Sequence, residues 1–85
     1  MQIAYSSKFS REYKKLPKEI KLLAEKRETI FRKNPFEPIL ATHKLHGRLK
    51  DFWSFSIGFK YRIIFEFAEK NTVHFHSVGD HDVYQ

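Results

Sequence analysis

The chain of 85 residues has no cysteine, so no disulfide frame holds it together and no cysteine-based zinc finger can form. It also lacks a long apolar run. Nothing approaches the roughly 18 apolar residues that span a bilayer, and the opening MQIAYSSKFSREYKK carries no export signal. These absences predict a soluble, cytoplasmic protein with no membrane partner. Glycine and proline are scarce, three of each, so each one works as punctuation between elements. At this length the chain is read as one domain, 1–85, burying roughly 60–65% of its unfolded surface.

What the chain does have is aromatic residues and positive charge. Nine Phe, four Tyr and one Trp join the aliphatic residues as the expected core. The net charge of +6 is lopsided: residues 1–35 hold ten Lys/Arg against four Glu, while 36–85 hold six of each sign. A basic half of this kind suits a polyanionic partner such as nucleic acid, although Lys-rich helices are also simply well solvated.

Read in order, residues 2–5 alternate as a short strand, and Ser6 or Ser7 can cap a helix whose Phe9, Tyr13 and Leu16 form one apolar stripe. Pro17 suits the first turn of a second helix, with Ile20, Leu23, Ala24, Arg27, Ile30 and Phe31 on one face and an end before Asn34-Pro35. Residues 36–51 are irregular, a loop with room for one helical turn. The period then becomes two: Trp53, Phe55 and Ile57; a turn at Gly58; Tyr61, Ile63, Phe65 and Phe67; a turn at 69–71; and a third strand over 72–78. The predicted fold class is α+β: an N-terminal strand, then a two-helix antiparallel hairpin packed on an antiparallel sheet.

On the face opposite the aromatic residues lie Ser54, Ser56 and Arg62, with His74 and His76 on the last strand and Gly79-Asp80-His81-Asp82 turning out of it. Metal-free RNA cleavage needs a base for the 2′-OH, a cation for the phosphorane-like charge and an acid for the leaving 5′-oxygen. Histidine and arginine suit these tasks. Exposed aromatic rings can stack on splayed bases. His74 and His76 are read as structural or partner-facing. A metal held by His74, His76, His81 and Asp82 lacks any spacing that would fix it, so neither metal nor cofactor is expected.

Four segments together resemble the RelE/ParE superfamily of toxin–antitoxin toxins: Lys-Leu-x-Gly-x-Leu from Lys44, Trp-Ser-x-x-Ile from Trp53, Tyr-Arg-Ile-Ile-Phe from Tyr61, and Val-Gly-x-His-Asp-x-Tyr from Val78. The resemblance covers nearly the whole chain and is nearest to the RelE and YafQ branches. It implies a microbial ribonuclease-type fold and cleavage of messenger RNA in the ribosomal A site. It also implies silencing by a cognate antitoxin that wraps the toxin and binds operator DNA only as the complex. Arg62 matches the arginine that stabilises the scissile phosphate; His81 the acid or base; His43 a second YafQ-type histidine; Tyr84 a C-terminal tyrosine that orients the 2′-OH or stacks on a base. Ser54 and Ser56 stand where RelE has lysines, Ser56 where YafQ has a histidine, and Lys60 where YafQ has an aspartate. The general base is therefore left open, with Lys60 and His46 as substitutes. The ParE branch implies another reading, a gyrase inhibitor without catalysis, and an inactive DNA-binding or antitoxin-sequestering relative is a third. The histidine-bearing C-terminal turn favours the nuclease.

Overall fold

The computed structural model describes residues 1–80. Five strands and two helices follow in the order β1 (Gln2–Tyr5), α1 (Ser7–Lys14), α2 (Lys18–Lys33), β2 (His43–Lys44), β3 (Trp53–Ile57), β4 (Tyr61–Phe67) and β5 (Thr72–Gly79). Helical turns at Pro38–Leu40 and Gly47–Leu49 flank β2. Ser6 is the α1 cap: its Oγ accepts from the Phe9 N–H at 2.9 Å and donates to the His76 carbonyl at 2.7 Å. Pro17 sits at the N-cap of α2, where a residue without an N–H leaves no donor unmet.

The sheet order is β1-β5-β4-β3-β2. From β1 the chain crosses one face through α1 and α2, starts again at the far edge, and meanders back until β5 lies beside β1. That last pairing is parallel, so the sheet is mixed where a purely antiparallel one was expected. The second departure is β2, a strand of two residues inside the predicted loop, paired antiparallel with β3. Two residues are too few for any period to register in the sequence.

One α2 side chain organises the core. Phe31 is fully buried and packs on a phenylalanine from each of three strands: Phe55 at 4.7 Å, stacked, and Phe65 at 4.9 Å and Phe75 at 5.6 Å, both edge-on. Trp53 and Tyr61 pack partly buried against this cluster, as expected. Not every phenylalanine joins it. Phe36, Phe59 and Phe67 are exposed, although the alternation of β4 had placed Phe67 with the core. Instead Phe67 ends its strand in a surface cluster with Trp53 and Phe36.

The pairing of β4 with β5 slips by one residue: Ile64 lies opposite Ser77 but Phe65 opposite Phe75, which leaves His76 unpaired as a bulge. Before the slip Val73 and Phe75 face the helices, and after it Val78 does. Gly79 is thereby turned to the second face of the sheet, opposite Arg62.

At the end of β1 the Tyr5 hydroxyl donates to Glu28 Oε2 at 2.6 Å, and Arg32 meets the same oxygen at 3.1 Å. Burial raises the Tyr5 pKa, and the hydrogen bond to Glu28 and the charge of that carboxylate raise it further. A phenol whose folded pKa lies above its unfolded value near 10 contributes stability that is fully present below about pH 10 and lost as pH climbs through the folded pKa. Tyr5→Phe is expected to cost about 1 kcal/mol at neutral pH and to weaken the alkaline fall in stability, read by thermal melts between neutrality and high pH. In the core, Phe65→Ala is expected to cost about 3–5 kcal/mol by urea titration. An unchanged midpoint would mean that β4 faces the other way.

Candidate active site on the second face of the sheet

Residues directly opposite in a ladder share a face. The register therefore places Ser56, Arg62 and Gly79 in one row across β3, β4 and β5, and His43, Ser54, Ile64 and Ser77 in the next row across β2 to β5. Both rows lie on the face turned away from α1 and α2.

Arg62 is half-buried, and its Nη1 donates to the carbonyls of Tyr61 at 3.0 Å and Phe59 at 3.4 Å. Two carbonyls at one nitrogen orient the guanidinium without exhausting its five N–H donors, so a fork remains for an anion. Glu66, four residues along on the same face, lies beside His74 at 3.6 Å. His76 packs against Phe52 with the rings tilted and their centroids 4.9 Å apart, so the Phe52 ring reaches over β4 to β5. Both strand histidines thus have structural contacts. Among the described residues, no group of three or more His, Asp or Glu could hold a metal ion.

His43 is exposed, and its Nδ1 lies 3.0 Å from the Ala41 carbonyl oxygen. A carbonyl can only accept, so Nδ1 carries the proton in this contact, and the neutral ring then presents the Nε2 lone pair as a base. His43 and Arg62 are two strands and two residues apart, which spacings of 4.8 and 3.4 Å turn into about 12 Å between backbones.

The remaining candidates divide by exposure. Lys60 is exposed in the β3–β4 turn, and His46 is exposed just before the turn at Gly47–Leu49. Ser56 is buried beside Arg62, and Ser54 has no exposed surface. The placement of the serines does not support direct substrate contact, because a buried hydroxyl cannot reach a ligand without the covering segment moving. His81 and Tyr84 lie outside the described residues. The strand that leads to them ends at Gly79, beside Arg62.

Glu12 was not evident as part of this arrangement. Its Oε1 accepts from the Val78 N–H at 3.0 Å, while Oε2 meets Lys8 Nζ at 2.7 Å. Beyond Tyr5, where β1 ends, the open edge of β5 is completed by α1: Ser6 takes the His76 carbonyl and Glu12 the Val78 amide. A cleft of about 270 Å³ next to this contact is lined by Glu12, Tyr61, Gly79 and Asp80 among others. Only a contact between residues 66 positions apart reveals the role of Glu12; its local spacing signals no more than a helix ion pair with Lys8.

No family model and no curated protein matches the chain. Solved structures do. The fold is that of bacterial toxins of the YafQ and YoeB/ParE type. E. coli YafQ superposes with a TM-score of 0.80 at 21% identity, covering 98% of this chain and 96% of that one. The YoeB/ParE toxin from Agrobacterium tumefaciens also scores 0.80, at 13% identity over 95% of this chain and 99% of that one. A chain of the YoeB–YefM complex from Staphylococcus aureus scores 0.76 at 20% identity over 95% and 97%.

Glu12→Ala is expected to lower stability by about 1–2 kcal/mol and to speed hydrogen exchange at the Val78 amide, because a buried donor loses its acceptor. Glu12→Gln keeps an acceptor oxygen and should lose less. Equal exchange in the two variants would show that the contact does not hold the end of β5.

Proposed function

We propose that this chain is the toxin of a type II toxin–antitoxin pair and acts as a ribosome-dependent, metal-independent endoribonuclease on messenger RNA. One observation carries the reading: Arg62 lies in a row with Gly79, two residues before His81, and on the same face as His43. That face can offer a cation for phosphate with the His43 imidazole on the same face, and the strand that leads to His81 ends beside it at Gly79. Arg62 would stabilise the charge that builds on the phosphoryl oxygens. One group, His43, Lys60 or His46, would take the 2′-OH proton as its oxygen attacks the adjacent phosphorus. His81 would give a proton to the departing 5′-oxygen, leaving a 2′,3′-cyclic phosphate and a 5′-hydroxyl, with Tyr84 orienting the ribose. Titratable side chains supply both proton transfers, so the scheme needs no cofactor.

The partner in this reading is a cognate antitoxin that covers the second face of the sheet, with operator DNA bound only through the complex. Its support is the fold shared with the toxin chains of the DinJ–YafQ complex of E. coli and the YoeB–YefM complex of S. aureus. No helix among the described residues is long and apolar enough to cross a membrane, and the proposed site of action is the cytoplasm.

The test is messenger-RNA cleavage in a translating extract with excess EDTA, mapped by primer extension, for the native chain, Arg62→Ala and His81→Gln. Discrete cuts within codons that survive EDTA are expected, with a loss of about 10²-fold or more in Arg62→Ala and a comparable loss in His81→Gln. Equal cutting by His81→Gln would move the acid role to another group. No cutting by the native chain would favour the ParE-like reading, in which DNA gyrase is inhibited without catalysis, and a supercoiling assay would then decide.

A further inference from the structure

Phe59 is 99% exposed at the tip of the β3–β4 hairpin, whereas Phe31, Phe55, Phe65 and Phe75 are fully buried. Single exposed apolar side chains are common on proteins, and exposure alone would mean little. The way this ring is held gives it meaning. Ile57 pairs with Tyr61 to close the hairpin around Gly58, Phe59 and Lys60. Gly58 has a φ of 65° and is pressed against α2: a side-chain carbon there would stand 2.7 Å from Leu23 Cδ2. The base of the turn is thereby fixed to the helix layer, and the next residue is left to project into solvent. The Phe59 carbonyl in turn accepts from Arg62 Nη1 at 3.4 Å, which ties the turn carrying the ring to the guanidinium. Lys60, between them in sequence, is exposed.

A rigid turn that presents an uncovered aromatic face, an ammonium and a guanidinium within four residues has the chemistry of a single-stranded nucleic-acid contact. A splayed base stacks on the ring while neighbouring phosphates meet the two cations. A duplex offers no free base face. A protein partner would have to satisfy both cations at the same spot where it covers the ring, which makes it the poorer fit. We propose that Phe59 is a base-stacking platform that positions a single-stranded RNA nucleotide beside Arg62. The proposal rests on the reading above that RNA is the substrate, and it adds a positioning residue to that site.

The test separates stacking from cleavage. Native chain, Phe59→Ala, Phe59→Leu and Phe59→Trp are titrated at low salt against a fluorescent single-stranded RNA oligonucleotide made non-cleavable by 2′-O-methylation, with its duplex as control, and anisotropy is read. Because the ring buries nothing in the free protein, all four should melt alike. Phe59→Ala and Phe59→Leu are expected to weaken single-strand binding at least about 5-fold, and Phe59→Trp to match or exceed the native chain, since stacking needs a π-face. Duplex binding should stay level across the series. In the cleavage assay Phe59→Ala should raise KM and leave kcat nearly unchanged, whereas Arg62→Ala lowers kcat.

The proposal is overturned if the native chain fails to bind the single strand, or if Phe59→Ala or Phe59→Leu binds it as tightly as the native chain. It is also overturned if Phe59→Ala loses only its antitoxin complex, which would make the ring a protein anchor. Binding that depends on Phe59 without any cleavage would uphold the platform and sink the nuclease reading. Cleavage that depends on Arg62 and is indifferent to Phe59 would do the reverse.

Discussion

The unpaired His76 in β5 decides from which side of the sheet the chain leaves its last strand. Strand side chains alternate strictly, so one extra residue transfers everything after it to the opposite face. Here the transfer brings Val78 into the core and Gly79 to the row of Arg62. The bulge is secured on both sides. Phe52 lies on the His76 ring, and Ser6, the cap of α1, takes the His76 carbonyl. Glu12 then holds the Val78 amide nearly two helical turns further along α1. A helix that packs on one face therefore sets the phase of the strand on which the other face depends.

This division of faces bears on the charge. The surplus of lysine and arginine lies in the two helices, yet Arg62 points away from them across the sheet. Helix layers and sheets pack about 10 Å apart, close to the screening length of about 8 Å at physiological salt. The helical charge thus reaches the Arg62 face damped. It can speed the approach of a polyanion, but the contacts at the site have to come from the hairpin tip and the rim, where Lys60, His43 and His46 are exposed.

Much of this arrangement was legible in the residues. The stripe Phe9, Tyr13, Leu16 and the face ending in Phe31 specified both helices, and the two-residue period of β3 and β4 set Phe55 and Phe65 against Arg62. What escaped was whatever leaves no periodic trace. A strand of two residues at His43 is shorter than one repeat of its own pattern. The slip at His76 is visible only against the partner strand, and the parallel pairing of β1 depends on where the chain returns after nearly its full length. Glu12 shows the same limit: its neighbours Lys8 and Tyr13 make it look like an ordinary surface acid, and its partner is 66 residues away.

The serines of β3 show how the same face can be built differently from the pattern it resembles. Leu45 and Ile64 are buried but stand apart from the helix-side core. The hydrogen bond from the Leu45 N–H to the Phe52 carbonyl, 2.9 Å, closes the segment that carries Leu45. With Ser54 at zero exposure, a lysine at that position would have to bury its ammonium or displace what surrounds it, either at a cost of several kcal/mol. A small hydroxyl fits where a long cation would not. The cationic and imidazole side chains lie further out instead: His43 on the edge strand, and Lys60 and Arg62 at the hairpin.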